Sequence, residues 1–246
     1  VDYNTAYGID GADRRYNPAG EYTTTAADGS DSTAYYPNQT DNYAQQHAQL
    51  SVLHRFTPQW SLSATAHYTH GAGYYEQYKR KKLSYWGLPY SHKAYGMYRK
   101  QLDNHFFGGV VAAKYISEPV DVQFGGAANY YMGDHFGTLH YLEDSLILPI
   151  NYEYYRNDAK KTDANIYAKA NWRIINRAQE QLSLYADLQY RYVRYERNGM
   201  NDEDMTDLPL EVNFHFFNPK AGLTYQNRGH LLAASFAIAN REPSRN

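Results

Sequence analysis

The chain has 246 residues, 24 basic and 26 acidic side chains, a formal net charge of -2 and no cysteine. Lack of cysteine excludes disulfide scaffolds and thiolate metal sites, and the scattered basic residues make no patch of the kind nucleic acid needs. Mean hydropathy is -0.77 and no run approaches the roughly 20 apolar residues of a membrane-spanning helix, although strand alternation hides a barrel wall from any averaging window.

Residues 1–41 are rich in Gly, Asp, Asn, Thr and Tyr and have no sustained period, so they read as a long loop. Strand one follows, with Ala44, Ala48, Leu50 and Val52 on one face and His47, Gln49 and Ser51 on the other. Thr57-Pro58-Gln59 is a tight turn, where proline is comfortable because it has no N–H to give a ladder. Strand two puts Trp60, Leu62, Ala64, Ala66 and Tyr68 outward against Ser61, Ser63, Thr65 and His67. Loss of period from Lys79 to Lys100 predicts a basic, aromatic loop.

Strand three covers about Leu102–Tyr115 with ambiguous parity, and Ile116–Pro119 makes the second short turn. Strand four places Val120, Val122, Phe124, Ala128 and Met132 opposite Asp121, Gln123, Tyr131 and His135. An acidic, aromatic loop is predicted over 139–160. The clearest alternation lies in strand five: Ala164, Ile166, Ala168, Ala170 and Trp172 face one way, while Asn165, Tyr167, Lys169, Asn171 and Arg173 face the other. After a turn at Asn176–Glu180, strand six sets Leu184, Leu188 and Tyr190 against Tyr185, Asp187, Gln189 and Arg191. A loop over Asn198–Leu208 leads to strand seven, whose apolar parity changes from Val212, Phe214 and Phe216 to Phe217, Ala221 and Leu223. That change predicts a β-bulge near Phe217–Pro219. Gln226–Gly229 is the fourth short turn, and strand eight follows it.

Short turns and long loops therefore alternate. An apolar face of Ala, aromatic and branched residues opposite a face of Lys, Arg, Asp and His suits a wall between lipid and a wet lumen. The expected fold is all-β: an antiparallel up-and-down transmembrane β-barrel segment of about eight long strands, with short periplasmic turns and long extracellular loops. The 28 tyrosines suit strands, the lipid–water boundary and ligand platforms alike.

Several segments carry a family resemblance. They are Arg15–Tyr22, His67–Glu76, Gly133–Gly137, Phe217–Tyr225 and Ala239–Asn246, the last two being the more specific. In them the chain resembles the barrel of TonB-dependent outer-membrane receptors, the active importers of iron chelates, cobalamin and other scarce nutrients. The resemblance implies a bacterial outer-membrane protein, a small-molecule nutrient as substrate, lipid around the wall, and TonB engaged through a plug region. Neither plug nor TonB box is recognised in residues 1–246, so the chain is expected to be part of a larger, 22-stranded wall. A self-contained eight-stranded adhesin or structural barrel, or an importer of oligosaccharide or peptide, are the alternatives.

Candidate ligand-binding residues fall in two groups. Loop aromatics Tyr74, Tyr75, Tyr85 and Trp86 lie in the densest ring cluster, and exposed loops carry recognition more often than walls do. Inward Tyr131 and His135, with Arg173 and Arg191, can grip an anionic chelate through hydroxyl and guanidinium groups; a hydrated wall facing the plug is the alternative. Among ten histidines, His67, His135 and His105 are candidates for the lumen face, and Asp134-His135 is the best single metal candidate. No His pair has helical ligand spacing, so no metal site is expected. No catalytic triad or carboxylate pair is recognisable, so neither an enzymatic activity nor a cofactor is expected.

Overall fold

The computed structural model describes residues 21–35, 41–201, 205–207 and 209–243. Two short strands, β1 (Glu21–Thr25) and β2 (Asp31–Tyr35), pair as an antiparallel hairpin within the stretch expected to be loop. Residues 1–20 lie outside the described residues. Eight strands then form one antiparallel sheet in chain order. They are β3 (Asp41–Arg55), β4 (Trp60–Lys82), β5 (Lys93–Ile116), β6 (Val120–Leu142), β7 (Tyr152–Arg177), β8 (Glu180–Gly199), β9 (Leu210–Asn227) and β10 (His230–Ala237). The sheet is not closed: β3 and β10 each have one neighbour in it, and both are exposed along their whole length.

The strands are longer than alternation of apolar residues indicates. β4, β5, β6 and β7 run 23, 24, 23 and 26 residues, against the roughly 9–11 a tilted strand needs to cross a bilayer. The loop expected over 79–100 is therefore mostly wall, and only 83–92 leaves the sheet. Likewise 139–160 shrinks to 143–151. Beyond the bilayer, water meets both faces of a strand, so the apolar period fades while the ladder continues.

The ladder also corrects the bulge expected at Phe217–Pro219. β9 keeps one register against β8 from Glu180↔Asn227 to Arg197↔Leu210, and one against β10. Phe217, Ala221 and Leu223 stay on one face throughout, and Val212, Phe214 and Phe216 stay on the other. What changes is the cover: on the inner face Phe216 and Val193, the partner of Phe214, are buried by protein. Bulges occur elsewhere, at Met97/Tyr98, Gly137/Thr138 and Arg173/Ile175.

Register fixes the two faces, including that of β5. Trp60, Tyr115 and Val122 align across β4, β5 and β6, and Val120 pairs with Trp172. Trp60 and Tyr115 have ring centroids 5.0 Å apart. Eight residues further along, Tyr68, Phe107 and Tyr130 align, with the last two rings 5.5 Å apart. Eight residues of strand at about 3.3 Å each, tilted about 40°, separate these aromatic bands by roughly 20 Å. Between them Val111, Phe124, Ile166 and Leu188 point outward; Ile166 is 66% exposed and Leu188 48%. On the inner face Gln123 donates to the Tyr167 hydroxyl at 2.8 Å, and Lys169 sits 3.8 Å from Asp187. Between the two bands, these outward residues are covered by no other part of the described chain.

Glycines let neighbouring strands of the wall approach closely. A Cβ on Gly108 would lie 2.4 Å from the Ala128 carbonyl oxygen, and one on Gly125 2.4 Å from that of Val111. Only glycine tolerates such an approach.

Candidate substrate-binding cavity

At the long-loop edge a hydrophobic cluster forms. Leu83–Trp86 makes one 3-10 turn, closed by Gly87 at φ 70°, the left-handed region that glycine reaches without penalty. Leu83 and Trp86 are fully buried against Tyr98, Leu139, Tyr154 and Tyr155. The two loops of this cap are clasped by His92, whose Nε2–H donates to Asp144 Oδ2 at 2.8 Å. That bond holds the Asp144 carboxyl below the ordinary aspartate range. Inside the cluster, Trp86 Nε1 and the Tyr154 hydroxyl have no hydrogen-bond partner among the described residues.

Below the cap lies a cavity of about 1390 Å³, with Tyr155 belonging to both. Tyr43, Tyr75 and Tyr131 line it with His135. Side chains of Lys100, Lys161, Arg191, Arg197 and Arg241 face it with two acids, Asp41 and Glu242; Lys160 and Glu196 border it but have outward parity. The local balance is thus cationic although the whole chain is slightly acidic.

The far wall of the cavity is a strap. β10 stops at Ala237 because its partner strand runs out of donors: Ile238 N–H reaches the Pro219 carbonyl, but Pro219 has no N–H to return. Side-chain amides then replace the ladder. Asn240 N–H donates to Asn218 Oδ1 at 2.6 Å, and Asn240 Nδ2 to the Phe217 carbonyl at 3.1 Å. The chain crosses the concave face and delivers Glu242 to β7 and β8. There Glu242 Oε1 accepts from Lys161 Nζ at 3.1 Å and Arg191 Nη2 at 3.2 Å, and Oε2 accepts from the Tyr195 hydroxyl. Arg191 also forks onto Asp163, at 2.9 and 2.6 Å.

The structure gathers Tyr75, Tyr131, His135 and Arg191 around this cavity; Tyr74, next to Tyr75 on β4, has the outward parity of Tyr68 and His70, and its ring lies 4.1 Å from the Arg99 guanidinium. Trp86 is placed differently: fully buried, it shapes the cap and offers no surface, and Tyr85 packs beside it at 6.0 Å between ring centroids. Arg173 lies at the opposite edge, where it bonds the Glu118 and Ser117 carbonyls and Asp121 and so fastens the β5–β6 turn. Asp134 and His135 cannot share an ion, because neighbours in a strand point to opposite faces; Asp134 pairs outward with Arg156 at 3.2 Å. His105 also points outward, paired with His70, and not into the lumen. Lys161, Tyr195 and Glu242 were missed by sequence reasoning. Continuing the inward parity of Tyr167 and Arg191 past the apolar stretch reaches the first two.

Residues 1–246 match the family model described as TonB dependent receptor-like, beta-barrel. The chain belongs to that family. A comparison with curated proteins finds no match. TonB-dependent receptors are outer-membrane nutrient receptors and importers as a class, not an enzyme family. Two of the segments that carry the resemblance, Phe217–Tyr225 and Ala239–Asn246, now have a physical role: their described parts hold the strap to the wall through Asn218 and Asn240.

Proposed function

We propose that this TonB-dependent receptor chain is an arc of a larger wall in the bacterial outer membrane, and that its capped cavity receives an anionic nutrient chelate, an iron chelate before cobalamin. The exposed edges of β3 and β10 support the larger wall, since unpaired N–H and C=O groups are not tolerated against lipid. Import is then driven by TonB through a plug seated against the concave face. The single observation that carries the substrate class is the cavity's excess of Lys and Arg beside tyrosine hydroxyls. Guanidinium and ammonium groups give charge-assisted bonds to carboxylate, catecholate or phosphate oxygens. Its volume exceeds the roughly 300–1,000 Å³ of a drug-sized pocket, which suits a bulky chelate. Tyr75, Tyr131, His135 and Arg191 are the contacts proposed from the wall; Tyr85 and Trp86 act through the shape of the cap.

The test is uptake of a panel of ferric chelates, cobalamin and neutral oligosaccharides by cells carrying the receptor, alone and with Tyr131→Phe and Lys100→Gln. Uptake of an anionic chelate that falls about tenfold or more in the variants, at unchanged surface level, supports the reading. Uptake of a neutral oligosaccharide with indifference to Lys100→Gln overturns it.

A further inference from the structure

Just beyond the outer aromatic band, three potential metal ligands meet on the outward face of the wall. His70 on β4 and His105 on β5 are direct cross-strand partners, and Asp103 stands two residues from His105 on the same face. Tyr68 and Phe107 of the aromatic band lie two residues below them. His70 Nε2 is 2.8 Å from Asp103 Oδ1, and His105 Nε2 is 3.9 Å from the same oxygen. The two imidazoles lie nearly parallel, 18° apart with centroids 4.7 Å apart. One ligand atom from each residue falls within 4.8 Å of the other two.

We propose that His70, Asp103 and His105 form a divalent-metal site of the Zn²⁺ class on the outer wall, tying β4 to β5. Ligands about 2.0–2.1 Å from a tetrahedral ion stand roughly 3.4 Å from one another, and the observed 2.8 and 3.9 Å bracket that spacing. Closing the longer distance by half an ångström needs only side-chain rotation.

A second feature prepares the site. The Tyr68 hydroxyl is 2.8 Å from His105 Nδ1. With Nδ1–H donating to that oxygen, the tautomer is fixed and the Nε2 lone pair is free for an ion, which is how outer-shell partners orient metal-binding histidines. The neighbouring carboxylate, Asp134, pairs with Arg156 and does not compete. Two imidazole nitrogens and one carboxylate oxygen favour Zn²⁺ and its late first-row relatives over Ca²⁺ or Mg²⁺, which take oxygen sets. Side-chain exposures of 33, 51 and 40% for His70, Asp103 and His105 give an ion access and leave a fourth position open to water.

The site differs from the substrate cavity in both face and chemistry, so its test is independent of transport. Zn²⁺ titrated into the detergent-solubilised receptor should saturate one site that His70→Gln, Asp103→Asn and His105→Gln each weaken at least tenfold. Tyr68→Phe should weaken it by about 10- to 100-fold, while His92→Gln leaves it unchanged. Cu²⁺ bound to the unmutated protein should show hyperfine splitting from two imidazole nitrogens, a readout that needs no variant to fold. No saturable site, splitting from fewer than two nitrogens, or affinity that survives combined His70→Gln and His105→Gln overturns the proposal.

Discussion

Replacing Glu242 by Gln tests how the strap is held. The substitution keeps the shape and one acceptor oxygen but removes the charge facing Lys161 at 3.1 Å and Arg191 at 3.2 Å. These side chains are 22, 29 and 25% exposed for Glu242, Lys161 and Arg191. The loss should therefore fall between an exposed ion pair, about 0.2–1 kcal/mol, and a fully buried one, about 3–5 kcal/mol. Arg191 keeps its fork onto Asp163, while Lys161 keeps Tyr195, whose ring lies 4.7 Å from its ammonium. A cost of about 1.5–2.5 kcal/mol follows, in line with hydrogen bonds to charged groups, or a roughly 10- to 60-fold shift toward the released strap. Hydrogen–deuterium exchange reads this directly. Amides of Ile238 and Asn240, bonded to Pro219 and Asn218, should exchange faster by that factor while the β4–β5 hairpin is unaffected. Lys161→Met should act similarly, and the double variant should fall short of the sum. Unchanged exchange at 238–242, or an equal rise throughout the wall, would refute the reasoning.

Two further outcomes concern the cap. A Cβ at Gly96 would lie 2.6 Å from Trp86 Cη2 and 3.0 Å from Leu139 Cδ1, so Gly96→Val should displace the indole at a cost of about 1–3 kcal/mol; a red shift of tryptophan emission checks it, and an unshifted spectrum contradicts it. Because the bond from His92 lowers the Asp144 carboxyl below its ordinary 3.8, the clasp is at full strength above that value and weakens as pH falls through the lowered one. Protease sensitivity of residues 83–92 and 143–151 should accordingly rise only in strong acid, whereas Asp144→Asn should be loose at every pH.

The membrane-level wall was legible because lipid and water impose a period of two, so Ile166 against Lys169 and Leu188 against Asp187 could be assigned from alternation alone. Above the aromatic band that signal ends. Tyr78, Tyr95 and Tyr98 read as loop, yet they belong to strands whose two faces both lack lipid. The parity change at Phe217 has another cause than an inserted residue: burial of Phe216 and Val193 on the inner face reverses apolarity as surely as a bulge does. Of the cavity lining, Tyr131, His135 and Arg191 follow from inward parity, and Tyr75 from the density of rings around it. Trp86 did not, because burial beneath a loop comes from tertiary contacts with Tyr98 and Leu139. Glu242 lay in a recognised segment, but its partners on β7 and β8 are far away in the chain. His70, Asp103 and His105 needed the register of β4 on β5, which no single-strand pattern supplies.

The central claim is that one face of this wall meets acyl chains and the other meets water. With no cysteine in the chain, single nitroxide labels can be placed at 164–172 and 184–190 in turn, in receptor reconstituted into bilayers. Labels at Ile166, Ala168 and Leu188 should relax with oxygen and ignore a water-soluble nickel chelate, and labels at Tyr167, Lys169 and Asp187 should do the reverse, with a period of two. Equal accessibility on both faces, or a nickel response at Leu188, would contradict the account.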